Sequence, residues 1–352
     1  MRLFYSPKQL AHRPQQFMQA GKFVQHLEAP ERCERMVKAL AAASYVVEEP
    51  RPDIGLDAIA RVHAPGYLEF LRTAWERWSQ VKGAGPEMIP NVHPYRGAAD
   101  DLGPRKHLRA ATPVAQASWY LGDLACPVGP HTWESAVAAA HTALAGAEAV
   151  LAGEHAAYAL CRPPGHHATA DRAAGFCYLN NVAIAVEFMR QHFERVAILD
   201  IDTHHGDGTQ SIFYRRPDVQ FVSIHVDPTN YYPFFSGYAD EYGAGEGEGY
   251  NLNLPLAPGN GDAEFLDALD DALEAVRTHR SEALAVSVGF DAHERDPLSV
   301  LKVTNDGYRR IGDAIAGLKL PTVLVQEGGY NLEFLGANVV AFLGGFNLAS
   351  RL

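Results

Sequence analysis

Residues 196–208 read Val196-Ala197-Ile198-Leu199-Asp200-Ile201-Asp202-Thr203-His204-His205-Gly206-Asp207-Gly208. The opening run is apolar without a break, as expected of a strand buried on both faces of a parallel sheet. The character then changes at once, and Asp200, Asp202, His204, His205 and Asp207 crowd the strand's end. Side chains at i and i+2 of a strand point to the same side. Asp202 and His204 therefore converge just beyond it. A second apolar run, Ala283-Leu284-Ala285-Val286-Ser287-Val288-Gly289, leads to Asp291 in the same way. Two oxygens and one nitrogen leave a fourth position open on a zinc-sized ion, the arrangement of a catalytic zinc. A structural hydrogen bond explains Asp202 and His204 taken alone. The density of ionisable groups favours metal ligation.

Working outward, segments 1–6, 44–49, 156–161, 195–201, 219–226, 250–255, 283–289 and 321–327 read as strands. Segments 31–43, 65–79, 132–153, 178–193, 262–279, 304–316 and 332–344 carry helical periodicity. Alternation of this kind predicts an α/β protein with helices on both faces of a parallel sheet. Ligands in such sheets bind past the carboxyl ends of the strands, where these Asp and His residues fall. Residues 80–130 are rich in Gly, Pro, Asn and His and break the pattern. A segment that long is expected to fold over the site or against another subunit.

Composition narrows the function. The formal net charge of −12 argues against a duplex nucleic acid partner. It suits attraction of cationic substrates, or simply solubility. No apolar run reaches the roughly 18 residues that span a bilayer. Met1-Arg2-Leu3-Phe4-Tyr5-Ser6-Pro7 does not read as a signal peptide, so a cytoplasmic protein is expected. Cys33, Cys126, Cys161 and Cys177 form no C-x-x-C pair and read as reduced thiols. Cys177, near a histidine pair, is the alternative nucleophile, but no base is dedicated to it.

That pair lies in Arg162-Pro163-Pro164-Gly165-His166-His167. Surface placement explains two adjacent histidines. Asp200 and Asp207, however, offer each a carboxylate, which fixes the tautomer and raises basicity as a general base requires. Gln326-Glu327-Gly328-Gly329-Tyr330 ends the last strand. Its glycines permit a sharp turn that brings the Tyr330 hydroxyl toward a developing oxyanion. A packed tyrosine beside a turn is the plainer reading of that motif alone.

R-P-P-G-H-H at 162–167, G-F-C-Y-L-N-N at 175–181, D-x-D-x-H-H-G-D-G-T-Q at 200–210, G-F-D-A-H-x-x-D-P at 289–297 and E-G-G-Y at 327–330 occur in this order. Together they resemble the zinc-dependent histone deacetylase family, over residues 1 to about 345. Within it, the 80–130 excursion and Leu27-Glu28-Ala29-Pro30 look like the bacterial acetylpolyamine amidohydrolases and histone deacetylase-like amidohydrolases. The resemblance implies one domain over 1–352 with the three-layer αβα arginase–deacetylase fold and a central eight-stranded parallel sheet. It implies one zinc per subunit on Asp202, His204 and Asp291, although this donor set also suits Fe(II), Co(II) or Mn(II). His167 is implied as general base and then acid, with His166 its electrostatic neighbour. Asp200 partners His166, Asp207 partners His167, and Tyr330 polarises the carbonyl. Phe176 and Phe235 are implied as tunnel walls, with Leu298 near the mouth. One structural potassium is implied near Asp200, Asp202, His204, Ser223 and Ile224. A second is implied near Phe213, Arg216, Val219 and Tyr250. The subgroup forms homodimers. Its acidic residues that receive distant ammonium groups are missing here, with Phe17 and Gln116 near those positions, which weakens polyamine specificity.

The expected reaction is removal of an acetyl group from a long-chain amine, an acetylpolyamine or acetyl-lysine, by a metal-activated water. A broader lysine deacylase and a small-molecule amidase are alternatives on the same scaffold. An arginase-like ureohydrolase requires more matched acids than this chain has, and a binding protein without turnover does not explain a complete set of catalytic residues.

Overall fold

The apolar runs assemble into a single sheet. The computed structural model describes residues 1–51, 54–93 and 106–349. Its strands are β1 (Arg2–Phe4), β2 (Gln16–Gln19), β3 (Lys22–Gln25), β4 (Val47–Glu48), β5 (Ala156–Ala159), β6 (Val196–Asp200), β7 (Val219–Val226), β8 (Asn251–Leu256), β9 (Ala283–Val288) and β10 (Thr322–Gln326). Eight of them pair in the order β4-β1-β5-β10-β9-β6-β7-β8. Every pairing in that sheet is parallel. Strands β5, β10, β9, β6 and β7 are buried at every residue. That is why they read as unbroken apolar runs.

Helices cover both faces: α1 (Glu31–Ala42), α2 (Asp57–Val62), α3 (Pro65–Trp78), α4 (Pro113–Tyr120), α5 (Thr132–Leu151), α6 (Asn181–Met189), α7 (Asp207–Phe213), α8 (Asp262–His279), α9 (Asn305–Ala316) and α10 (Leu335–Ala349). Alternate strand residues feed separate cores. Ala157, Val323, Ile198 and Ala285 face a layer that includes α5 and α6. Tyr158, Leu324, Leu199 and Val286 face a layer that includes α1, α8, α9 and α10. This is the period-two alternation of a pleated sheet. The eight expected strands are the eight of the sheet, and the αβα layering is as read from the sequence. No helix among the described residues is long and apolar enough to cross a membrane.

The sequence reading missed the antiparallel β2–β3 hairpin, whose turn residues Ala20 and Gly21 both have positive φ. It also missed α2, α4 and α7, all of eight residues or fewer. The expected 80–130 loop contains α4, and Met88 bridges Val128. Residues 94–105, the middle of the expected roof, lie outside the described residues.

Helices α9 and α10 meet at glycines. A Cβ on Gly345 would stand 1.9 Å from the Arg309 carbonyl oxygen. Alanine favours a helix by about 1 kcal/mol over glycine. Overpacking against a rigid backbone costs about 1–3 kcal/mol and wins here. Gly345→Ala is expected to lower the urea midpoint of unfolding. An unchanged or higher midpoint would show that this contact is loose.

Candidate active site

Four adjacent strands, β5, β10, β9 and β6, end on the same side of the sheet and supply the site. Asp202, His204 and Asp291 are buried together, and their ligand atoms lie within 4.8 Å of one another. His204 Nδ1 is 3.1 Å from Asp202 Oδ1 and 3.2 Å from Asp291 Oδ2. Backbone donors take the outer oxygens. Gly328 N–H donates to Asp202 Oδ2 at 2.8 Å, and Thr203 N–H donates to Asp291 Oδ1 at 3.0 Å. Glycines make the close approach possible: a Cβ on Gly328 would stand 2.1 Å from Asp291 Oδ2, and one on Gly289 2.2 Å from Asp202 Oδ2.

The electrostatics ask for a cation. Burial raises the Asp291 pKa, and the neighbouring Asp202 raises it further. Burial opposes charge on His204, yet Asp202 and Asp291 lift its pKa to about 9. Two buried carboxylates thus draw positive charge into the space between them. A divalent ion meets that demand, and the O/N/O donor set fits zinc.

The histidine pair is unequal. His166 Nδ1 lies 3.0 Å from Asp200 Oδ2, and His167 Nδ1 lies 2.7 Å from Asp207 Oδ1. Burial opposes charging His166, but Asp200 and Asp202 outweigh it and hold its pKa well above the usual value. Burial and the adjacent His166 charge instead lower His167 to about 4. The surroundings of the ring beside Asp207 therefore favour its neutral, proton-accepting form.

Tyr330 is buried, with its ring 5.6 Å from Phe176 and 4.8 Å from the Arg32 guanidinium. Its backbone N–H donates to Asp296 Oδ2 at 2.6 Å. Phe17, Phe176 and Tyr330 form a small apolar cluster against which Leu298 packs. Phe235 does not join them. The residue is 92% exposed, with its ring 6.3 Å from that of Phe234. Tyr232 holds the inner place, its ring 4.9 Å from His167 and nearly perpendicular to it, while Tyr231 stacks on His204 at 4.9 Å. Phe17, on the missed hairpin, packs edge-on against Phe176 at 5.2 Å. Gln116 accepts from Arg77 and donates to the Leu108 carbonyl.

Of the positions implied for potassium, Ser223 pairs in register with Asp200 across β6 and β7, and Ile224 follows it. Phe213, Arg216 and Val219 border the α7–β7 turn, where the Tyr250 carbonyl accepts from Phe221 N–H. The four cysteines are unpaired and buried. Burial pushes the Cys177 thiol well up, which disfavours the nucleophilic thiolate.

Several site residues escaped the sequence reading. Glu327 Oε2 accepts from Gly165 N–H at 2.6 Å and His166 N–H at 3.1 Å, fixing the turn that carries the histidines. Glu28, Arg32 and Arg162 form a fully buried ion triad. Arg32 also donates to the Gly329 and Glu327 carbonyls, each at 2.6 Å. The one available signal was position within quoted motifs: Glu327 opens E-G-G-Y, and Arg162 opens R-P-P-G-H-H.

Comparison with known proteins follows the same lines. The histone deacetylase domain matches residues 26–346. The acetylpolyamine amidohydrolase of Burkholderia pseudomallei is 48% identical over 347 residues, 98% of each chain. Acetylpolyamine amidohydrolase 2 of Pseudomonas aeruginosa is 40% identical over 356 residues and all of both chains. The crystal structure of the acetylpolyamine aminohydrolase from Burkholderia pseudomallei superposes with a TM-score of 0.93 at 47% identity, covering 99% of each chain. A domain match spanning most of the sequence, and relatives alike along their whole length, establish that the chain belongs to the histone deacetylase family.

Proposed function

We propose that the protein is a zinc-dependent amidohydrolase that removes acetyl groups from N-acetylated long-chain amines, acetylpolyamines first among them. One observation carries this reading: two adjacent histidines, each backed by its own carboxylate, stand beside the Asp202–His204–Asp291 group. When bound, the metal supplies Lewis acidity, which polarises a carbonyl and lowers the pKa of water from about 16 to about 7.

The chain's own groups do the rest. His167, neutral and oriented by Asp207 through Nδ1, receives the proton of the attacking water on Nε2. As the carbonyl carbon becomes tetrahedral, the Tyr330 hydroxyl donates to its oxygen, a contribution typically worth about 3 kcal/mol. His166, held by Asp200 in surroundings that favour its charged form, stabilises the negative charge that develops nearby. His167 then returns the proton to the nitrogen as the C–N bond breaks, giving acetate and a free amine. Phe176 and Tyr232 flank the methylene chain, and Leu298 lies toward the mouth. An extended amine therefore fits better than a compact amide. Structural potassium ions at the two sites named above, and a homodimer in which the 80–130 excursion borders the entrance, belong to the same reading. A broader lysine deacylase is the second reading. It is favoured by Phe17, which presents a ring rather than a carboxylate beside Phe176.

The substrate class is tested by kcat/KM on acetylputrescine, acetylspermidine and an acetyl-lysine peptide with one preparation. A preference for the peptide would favour the second reading. His167→Ala is expected to lose about 10²–10⁴-fold in kcat with its zinc content unchanged. Activity near wild type would remove His167 from the mechanism. Treatment with a chelator should abolish turnover, and added zinc should restore it. Full activity in a metal-free preparation would refute metal dependence.

A further inference from the structure

We infer that Asp123 is a positioning residue for His167: its carboxylate ties together the two groups that bracket the imidazole, Tyr232 and the turn at Gly175. This inference rests on the amidohydrolase reading for its consequence in catalysis, but not for its geometry.

Asp123 lies between α4 and α5, at the end of the 80–130 excursion and away from the strand ends that carry the other site residues. One oxygen, Oδ2, accepts both the Tyr232 hydroxyl at 2.7 Å and the Gly175 N–H at 2.8 Å. The other, Oδ1, accepts Ala125 N–H at 2.8 Å, which fixes the carboxylate's own orientation. A charged acceptor makes these bonds stronger than neutral ones.

Both tied groups press on the same ring. Gly175 and Phe176 have φ of 53° and 70°, and Ala174 and Cys177 pair across them in a tight turn. A Cβ on Gly175 would stand 2.3 Å from His167 Cδ2 and 3.0 Å from the Tyr232 hydroxyl. The bare glycine therefore lies flat against the imidazole. The Tyr232 ring meets that imidazole edge to face at 4.9 Å. Asp207 fixes the ring at Nδ1, but one hydrogen bond leaves an imidazole free to swing about that contact. Gly175 and Tyr232 remove the remaining freedom, and Asp123 holds both in place. Misplacing a reacting group by about 1 Å costs on the order of 10²-fold in rate.

A competing role is direct: a carboxylate beside a tunnel wall could instead receive the distant ammonium group of the substrate. The two roles separate on a pair of substrates, acetylputrescine, which carries a cationic tail, and N-butylacetamide, which does not. Positioning predicts that Asp123→Ala lowers kcat about 10–100-fold on both, with KM moved less than about threefold. It predicts that Asp123→Asn, whose amide oxygen can keep the Tyr232 and Gly175 bonds while its NH2 faces the Ala125 N–H, recovers part of that loss. Tyr232→Phe, which deletes one hydroxyl and keeps the ring, should cause a smaller loss and add nothing in the double variant with Asp123→Ala. It also serves if Asp123→Ala does not fold. A rise in KM confined to acetylputrescine, or fully additive losses, would overturn the proposal. A crystal structure of Asp123→Ala supplies a readout free of turnover: Tyr232, the 174–177 turn and the His167 ring should shift. All three unmoved would overturn the proposal, whether or not the wild-type protein hydrolyses either amide.

Discussion

The structure is organised around two carboxylates that should repel each other. Asp202 and Asp291 are fully buried and share one imidazole between them. Isolated buried charges of one sign are costly, and the arrangement is sustained only by a cation and by donors on every outer oxygen. Much of the surrounding fold serves those two conditions. Parallel strands bring both aspartates to one edge of the sheet. Gly289 and Gly328 lack the side chains that would collide with the carboxylates. The backbone at Thr203 and Gly328 supplies the donors.

The same electrostatics divide labour between adjacent histidines. His166 and His167 are neighbours in sequence and similarly buried, yet their surroundings push them in opposite directions, His166 toward the charged form and His167 toward the neutral one. The difference comes from what lies behind each ring. His166 faces Asp200 and has Asp202 within 3.8 Å, whereas His167 has only Asp207 and feels the charge of His166. Placing like groups in unlike environments separates acid and base roles without changing residue type.

How much of this was legible in the sequence follows from the range of the interactions. The sheet strands were visible because burial on both faces leaves unbroken apolar runs, as in β6 and β9. The metal-fitting residues were visible because strand periodicity places Asp202 and His204 on one side, with Asp291 ending a neighbouring strand. The β2–β3 hairpin was not visible. Each four-residue strand has a polar residue at both ends and two apolar ones between, without alternation, and only Phe17 is buried. Choosing between Tyr232 and Phe235 was beyond periodicity as well. Four aromatic residues crowd 231–235, and the path of the loop alone decides which ring turns inward. Asp123 meets Gly175 across 52 positions and Tyr232 across 109, through a segment whose composition suggested only irregular chain. Contacts of that kind carry no local signature.

The Arg32 side chain bears on how distant parts of the fold are coupled. It sits on α1, yet its partners on the last strand's loop, the Glu327 and Gly329 carbonyls, are 295 and 297 residues away. The guanidinium is fully buried and also pairs with Glu28, so losing either set of partners leaves a buried charge poorly satisfied. A shift of α1 therefore pulls on the loop that carries Tyr330, and damage remote in sequence can loosen that tyrosine.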